Sequence, residues 1–232
     1  IASADDSTSD NTNGIVIADA RYSFITNSFA ESAIAFGQEF KNDTRYSVLA
    51  NGIAIDSNIG FGYGQDTVGD DGCDFNVAGL LVSYANDFGI VMGEADYNVW
   101  TGVVIDSTNA PNRVGDGNVA GVRIYDLSDG NLVSSILTYG ANMDYPVRIG
   151  GDRNYVSFAA HDTLSGNVVT FDSGAAKNFV EFLHPGTRTS ILTLLTDNSG
   201  VDADSTDANV VHSPATGEYL GTLSNHFHWR TM

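Results

Sequence analysis

Apolar and polar residues along this chain change places in short runs, and the runs predict strands rather than helices. Gly14-Ile-Val-Ile-Ala18 opens the ordered part, and apolar stretches follow at 77–84, 90–92 and 99–105. Asn51-Gly52 lies between the strand candidates Ser47–Leu49 and Ile53–Ile55, as the turn of a hairpin would. The clearest predicted hairpin is 119–137. There Val122 and Ile124 alternate with Arg123 and Tyr125, Asp129-Gly130 turns the chain, and 132–137 returns. Helical periodicity is poor: Gly37 interrupts 29–40, and 175–183 is β-branched and aromatic. Short strands at spacings near ten residues predict an all-β protein of the jelly-roll, β-sandwich or barrel kind.

An echo runs through the second half. Asn154-Tyr-Val-Ser-Phe158, Asn167-Val-Val-Thr-Phe171 and Asn178-Phe-Val-Glu-Phe182 share the pattern Asn-apolar-Val-x-Phe. Unequal spacing and only three copies favour three consecutive antiparallel strands over the rungs of a β-solenoid or trimeric fibre. The Gly/Asp-dense stretch at 64–72 and the Gly150-Gly151 pair divide the chain. The expected plan is a polar arm over 1–13, a main barrel from 14–65 and 151–232, and a second small stacked β domain inserted at 66–150.

Composition adds an environment. The net charge is −19; of 29 acidic residues 24 are Asp, while Lys41 and Lys177 are the two lysines. Such a surface repels itself in dilute buffer. In about 1 M salt the Debye length shrinks to roughly 3 Å, and the repulsion is screened. A hypersaline, extracellular setting is therefore expected. No basic stripe is present to bind nucleic acid through phosphate, and no run of 18 apolar residues crosses a membrane as a helix. The arm at 1–13 is polar and acidic, unlike a signal peptide, so a leader is expected to have been removed or never present.

Candidate chemistry is sparse. Asp70, Asp71 and Asp74, and again Asp202, Asp204 and Asp207, form carboxylate-dense loops whose hard oxygens suit structural calcium or magnesium, although neither spacing matches a calcium loop. His226 and His228 share a strand face in a spacing zinc can use, with no third ligand nearby. A lone cysteine, Cys73, excludes an internal disulfide and leaves an intermolecular one as an option. Glu31, Glu39, Glu94, Glu181 and Glu218 are the glutamates from which a glycosidase pair would be drawn, and none is singled out by its context. No cofactor is expected, and the chain is not expected to be an enzyme.

The Lys-poor, Asp-rich surface, the size and the strand-dense pattern from Ile15 to Trp229 resemble, as a profile, the major capsid proteins of haloarchaeal icosahedral viruses with internal membranes. The resemblance implies an upright single β-barrel in the virion, near an internal membrane. Its partners would be other capsid subunits and a second, smaller capsid protein. The alternatives carried forward are a homotrimeric receptor-binding fibre or adhesin, and a secreted salt-adapted carbohydrate-active enzyme.

Overall fold

The computed structural model describes residues 13–64, 72–110, 119–140, 143–161, 169–172, 175, 177–183, 191–195, 211–212 and 219–220. Among them there is no helix. Strands alternate between two sheets as the chain advances. A short-strand sheet takes β1 (Ile15–Ala18), β3 (Phe36–Lys41), β5 (Ile59–Tyr63), β7 (Phe88–Met92), β9 (Ala120–Ile124), β11 (Tyr145–Ile149) and β13 (Val169–Phe171) in that order. A long-strand sheet takes β2 (Phe24–Glu31), β4 (Val48–Ile55), β6 (Val77–Tyr84), β8 (Val99–Asp106), β10 (Leu132–Tyr139), β12 (Tyr155–His161) and β14 (Phe179–Leu183). Every neighbour in these two series is parallel; β15 (Ile191–Leu195) then closes the long sheet antiparallel to β14. A further pair, β16 (Val211–His212) and β17 (Tyr219–Leu220), is antiparallel.

The all-β expectation holds, with two sheets facing one core, but the connections are not those of a jelly roll. Sheets of that fold are antiparallel, whereas here each turn of chain lays one short and one long strand on the turn before, as in a solenoid. Residues 66–150, expected as an inserted domain, supply β6 to β11, which continue both sheets without a break. The 119–137 hairpin is instead an arch: β9 lies in the short sheet and β10 in the long one. The echo resolves the same way. Asn154 and Asn178 open β12 and β14, which pair in parallel with Tyr155 beside Phe179, while Val169–Phe171 lies in the facing sheet.

Asn51-Gly52 is not a turn either. Asn27, Asn51, Leu80, Gly102 and Ser135 occupy the same place in successive long strands, all with positive φ. Each adds one residue to its strand, so the buried positions step by three and then two, as in Ala78, Leu81 and Ser83. The bulge ends at β12, where the register shifts between Val133 and Ile136.

The core between the sheets is a wedge. On its wide side the column Phe40, Tyr63, Met92, Ile124, Ile149 and Phe171 faces Leu49, Trp100, Val133 and Val156, all buried. On its narrow side glycines recur at the same place, and a Cβ on Gly89 would lie 2.5 Å from Ile105 and 2.6 Å from the carbonyl of Gly121. Gly37, Gly60 and Gly121 are equally closed in, against Ala54, Ser83 and Thr138. We expect Gly89→Ala to cost about 1–3 kcal/mol, because the buried Ile105 side chain and the Gly121 carbonyl both block the methyl group and the carbonyl cannot rotate away. A chemical-denaturation midpoint unchanged from wild type would contradict the wedge.

Candidate functional site

One corner of the stack carries its most regular chemistry. Where the chain turns into each long strand it places Ser23, Ser47, Asn76, Asn98, Asn131, Asn154 and Asn178 one above the next. The backbone N–H of each of the first six donates to the side-chain oxygen one rung on, at 2.8–3.0 Å. Each asparagine Nδ2 donates back to a main-chain carbonyl of the preceding rung: Thr44, Cys73, Ala95, Ser128 and Gly151 in turn. The amides are buried, so the ladder satisfies polar groups that would otherwise be costly.

Two residues earlier stands a ladder of carboxylates. Asp74 Oδ1 accepts the N–H of Asp96, Asp96 Oδ1 that of Asp129, and Asp129 Oδ1 that of Asp152. Burial, with the neighbouring charges of Asp74 and Asp129, raises the Asp96 pKa against the lowering effect of the Asp129 N–H. The native state thus holds this proton more tightly than the unfolded chain does. Its contribution to stability is present at acid pH and is lost as pH rises through the raised pKa, so the ionised group strains the fold at neutrality. Asp96→Asn keeps the acceptor and removes the charge. It should raise Tm by about 1–3 °C at pH 7 in low salt. The gain should shrink only in part in 1 M NaCl, which screens Asp74 and Asp129 but not burial, and should vanish below the ordinary carboxylate pKa; a gain that persists at that pH would refute this cause.

Between the two ladders lies the row Tyr22, Tyr46, Phe75, Tyr97, Gly130, Arg153 and Lys177, all with positive φ. A left-handed conformation costs a bulky residue about 1 kcal/mol or more. The four rings offset this by stacking, with centroids 5.6, 5.5 and 5.4 Å apart and planes within 17°. All four are exposed.

The aromatic row borders the outer face of the long sheet, which is built as ridge, trough and ridge. Phe24, Val48, Val77, Val99 and Leu132 form one ridge, and Phe29, Ile53, Val82, Val104 and Leu137 the other. Thr26, Ala50, Gly79, Thr101 and Ser134 line the trough between them. From β2 to β10 these three columns hold no ionisable side chain. Charge enters at the margins and at the far end, where Tyr155 donates to Glu181 at 2.5 Å and its own pKa is raised first by that bond.

The outer face of the short sheet is different. Val91 and Arg123 point outward from it yet are buried. Arg123 and Arg148 both pair with Asp172, at 2.7 and 2.8 Å, and Arg123 also lies over the Tyr125 ring. Glu39, which accepts from Asn13, is buried on the same face.

The sequence-based candidates fare unevenly. Asp70, Asp71, Asp202, Asp204, Asp207, Glu218, His226 and His228 lie outside the described residues. Asp74 is engaged by the Asp96 N–H and by Arg45 at 3.4 Å, which leaves it a poor start for a cation site. Among the described residues no group of three or more His, Cys, Asp or Glu could hold a metal ion. Cys73 is fully buried, with its thiol 3.1 Å from the carbonyls of Phe40 and Asn42, and burial pushes its pKa up to about 12. The sulfur considered for an intermolecular disulfide is therefore enclosed. Glu31, Glu94 and Glu181 sit on different rungs, at different margins of the stack.

Neither ladder was anticipated, although a signal existed: Asp-x-Asn recurs at 74–76, 96–98, 129–131 and 152–154. The ladder bonds span 24, 29, 22, 33, 23 and 24 residues, and that irregular period hides the repeat.

No protein-family model matches the chain. A tail spike protein of Escherichia virus K5 is 30% identical over 235 residues, which cover 94% of this chain and 35% of that protein. The chain thus spans about a third of that relative's length. Among solved structures, ORF18 of Geobacillus virus E2 is 13% identical and aligns with 84% of this chain and 59% of its own, at a TM-score of 0.31.

Proposed function

We propose that this chain is a virion structural protein, a segment of an attachment fibre or spike that presents a receptor-binding surface to the host cell. The observation that carries the reading is the continuous parallel stack. A structure that grows by adding rungs in one direction makes a rod, and a rod suits an appendage better than a shell tile. Similarity to a tail spike protein over nearly the whole chain supports the same setting. The capsid reading implied an upright jelly roll, and the parallel sheets remove that support. The aspartate-rich surface still favours a saline habitat, which a rise in Tm between 0.1 and 2 M NaCl tests.

Labelling intact virions with gold-tagged antibody against this protein tests its place. Label confined to the attachment appendage is expected, and label spread evenly over the shell would restore the capsid reading. Purified protein should also compete with the parent virus for adsorption to its host; undiminished adsorption at saturating protein would contradict the receptor-binding role.

A further inference from the structure

We propose that the outer face of the long sheet is where copies of this chain pack against one another, with their stacks side by side. The proposal deepens the attachment reading, on which it rests for the setting in which copies meet, and names the partner of this face.

The two outer faces differ in exposure: most outward side chains of the short sheet are buried, and those of the long sheet are not. Val91, outward on the short sheet, is 1% exposed, whereas Phe24 and Leu80 on the long sheet are 72% and 69% exposed. The five parallel long strands from β2 to β10, about 4.8 Å apart and each roughly eight residues of 3.3 Å, present on the order of 600 Å². Monomeric proteins rarely leave apolar patches beyond a few hundred Å². Specific interfaces bury roughly 600–1,000 Å² from each partner, and this face reaches the lower end of that range.

Charge selects the occupant. A chain of net charge −19 repels its own copies wherever its carboxylates are spread. The ridges and trough from β2 to β10 are free of ionised groups, so a like-charged copy meets less repulsion there than over the rest of the surface. A cationic partner would instead be drawn to the Asp74–Asp96–Asp129–Asp152 ladder, away from this face.

The aromatic row argues against a sugar as occupant. Tyr46 and Phe75 have a stacked ring on either side, so both faces are covered and their rims point outward. A sugar needs an open ring face with polar side chains beside it, and the trough supplies threonine, serine, alanine and glycine. Rims and aliphatic ridges suit a protein surface, and a copy has the same rung spacing. A ridge of one copy can therefore enter the trough of the next at every rung.

The test is native mass spectrometry with sedimentation equilibrium on the whole chain, comparing wild type with Leu80→Glu/Val82→Glu. Both side chains point outward, so circular dichroism should be unchanged. Wild type should be oligomeric and the double variant monomeric, its association weakened at least about a hundredfold. Leu127→Glu, an exposed apolar residue off this face, is the control and should stay oligomeric. Should the double variant misfold, Leu80→Cys replaces it, since Cys73 is enclosed. A short bifunctional thiol reagent should join Leu80→Cys chains and leave Leu127→Cys chains single. Wild type that stays monomeric at tens of micromolar in both 0.15 and 2 M NaCl, or a folded double variant of undiminished mass, overturns the proposal. An oligomer that fails to block adsorption would leave this interface standing and sink the attachment reading alone.

Discussion

Asn131→Ala should lower the melting temperature by roughly 10 °C, the largest loss expected from a single polar side chain here. Asn131 Oδ1 accepts from the backbone and side-chain nitrogens of Asn98, and its Nδ2 donates to Ala95 O and Asn154 Oδ1. Alanine leaves a buried N–H on one side and a buried carbonyl on the other, each costing about 1–3 kcal/mol. The sum is about 2–6 kcal/mol, and each kcal/mol moves Tm by about 2–4 °C in a protein of this size. Asn131→Asp should be no better, because a carboxylate cannot donate to Ala95 O and brings a charge into the stack. Thermal melts of the three proteins decide the matter; an alanine variant within about 2 °C of wild type would mean that the ladder is ornament.

The second large effect belongs to Trp100. Its ring is fully buried against Tyr63, with centroids 4.4 Å apart, on the wide side of the wedge. Trp100→Ala should cost about 3–5 kcal/mol through lost burial and an unfilled cavity. Trp100→Phe should cost far less. The indole Nε1 is buried and, among the described residues, has no acceptor, so its removal relieves a desolvation penalty that partly offsets the lost ring. Denaturant unfolding of both variants tests the pair. Equal losses would show that the indole N–H is satisfied and contributes as much as the ring.

Much of the fold is legible in the residues, but not the direction of the strands. The run Val77–Tyr84 is a strand with those ends, and the apolar stretch at 99–105 becomes Val99–Asp106. Direction failed because a solenoid corner and a hairpin turn use the same local chemistry. Gly130 takes positive φ after Asp129, as it would in a hairpin, yet here it leads from the short sheet into the long one. Asn51 takes positive φ inside a strand, as a bulge. Nothing within four residues tells these uses apart; the difference lies in pairing across 22 to 33 residues. The Asn-apolar-Val-x-Phe echo did contain the answer at Asn154 and Asn178. The described part of the intervening copy, Val169–Phe171, belongs to the opposite sheet and made the spacing look too short for a rung.

The site was less legible still. An aromatic stack built from Tyr22, Tyr46, Phe75 and Tyr97 joins residues that are unremarkable in sequence, each in a turn between polar neighbours. Only the register makes them one surface. The same register turns ordinary strand residues such as Val77, Val82 and Leu132 into continuous ridges.

Paired cysteines introduced on the outer face of β6 and β8 test that register most directly. Val77 is the partner of Val99, and Val82 of Val104. Parallel strands bring both pairs within disulfide range at once, whereas antiparallel strands would join 77 with 104 and 82 with 99. Oxidation of Val77→Cys/Val99→Cys and of Val82→Cys/Val104→Cys should each give an intrachain disulfide mapped by peptide mass. Bridges found instead in the 77/104 and 82/99 variants would contradict the stack and the surface read from it.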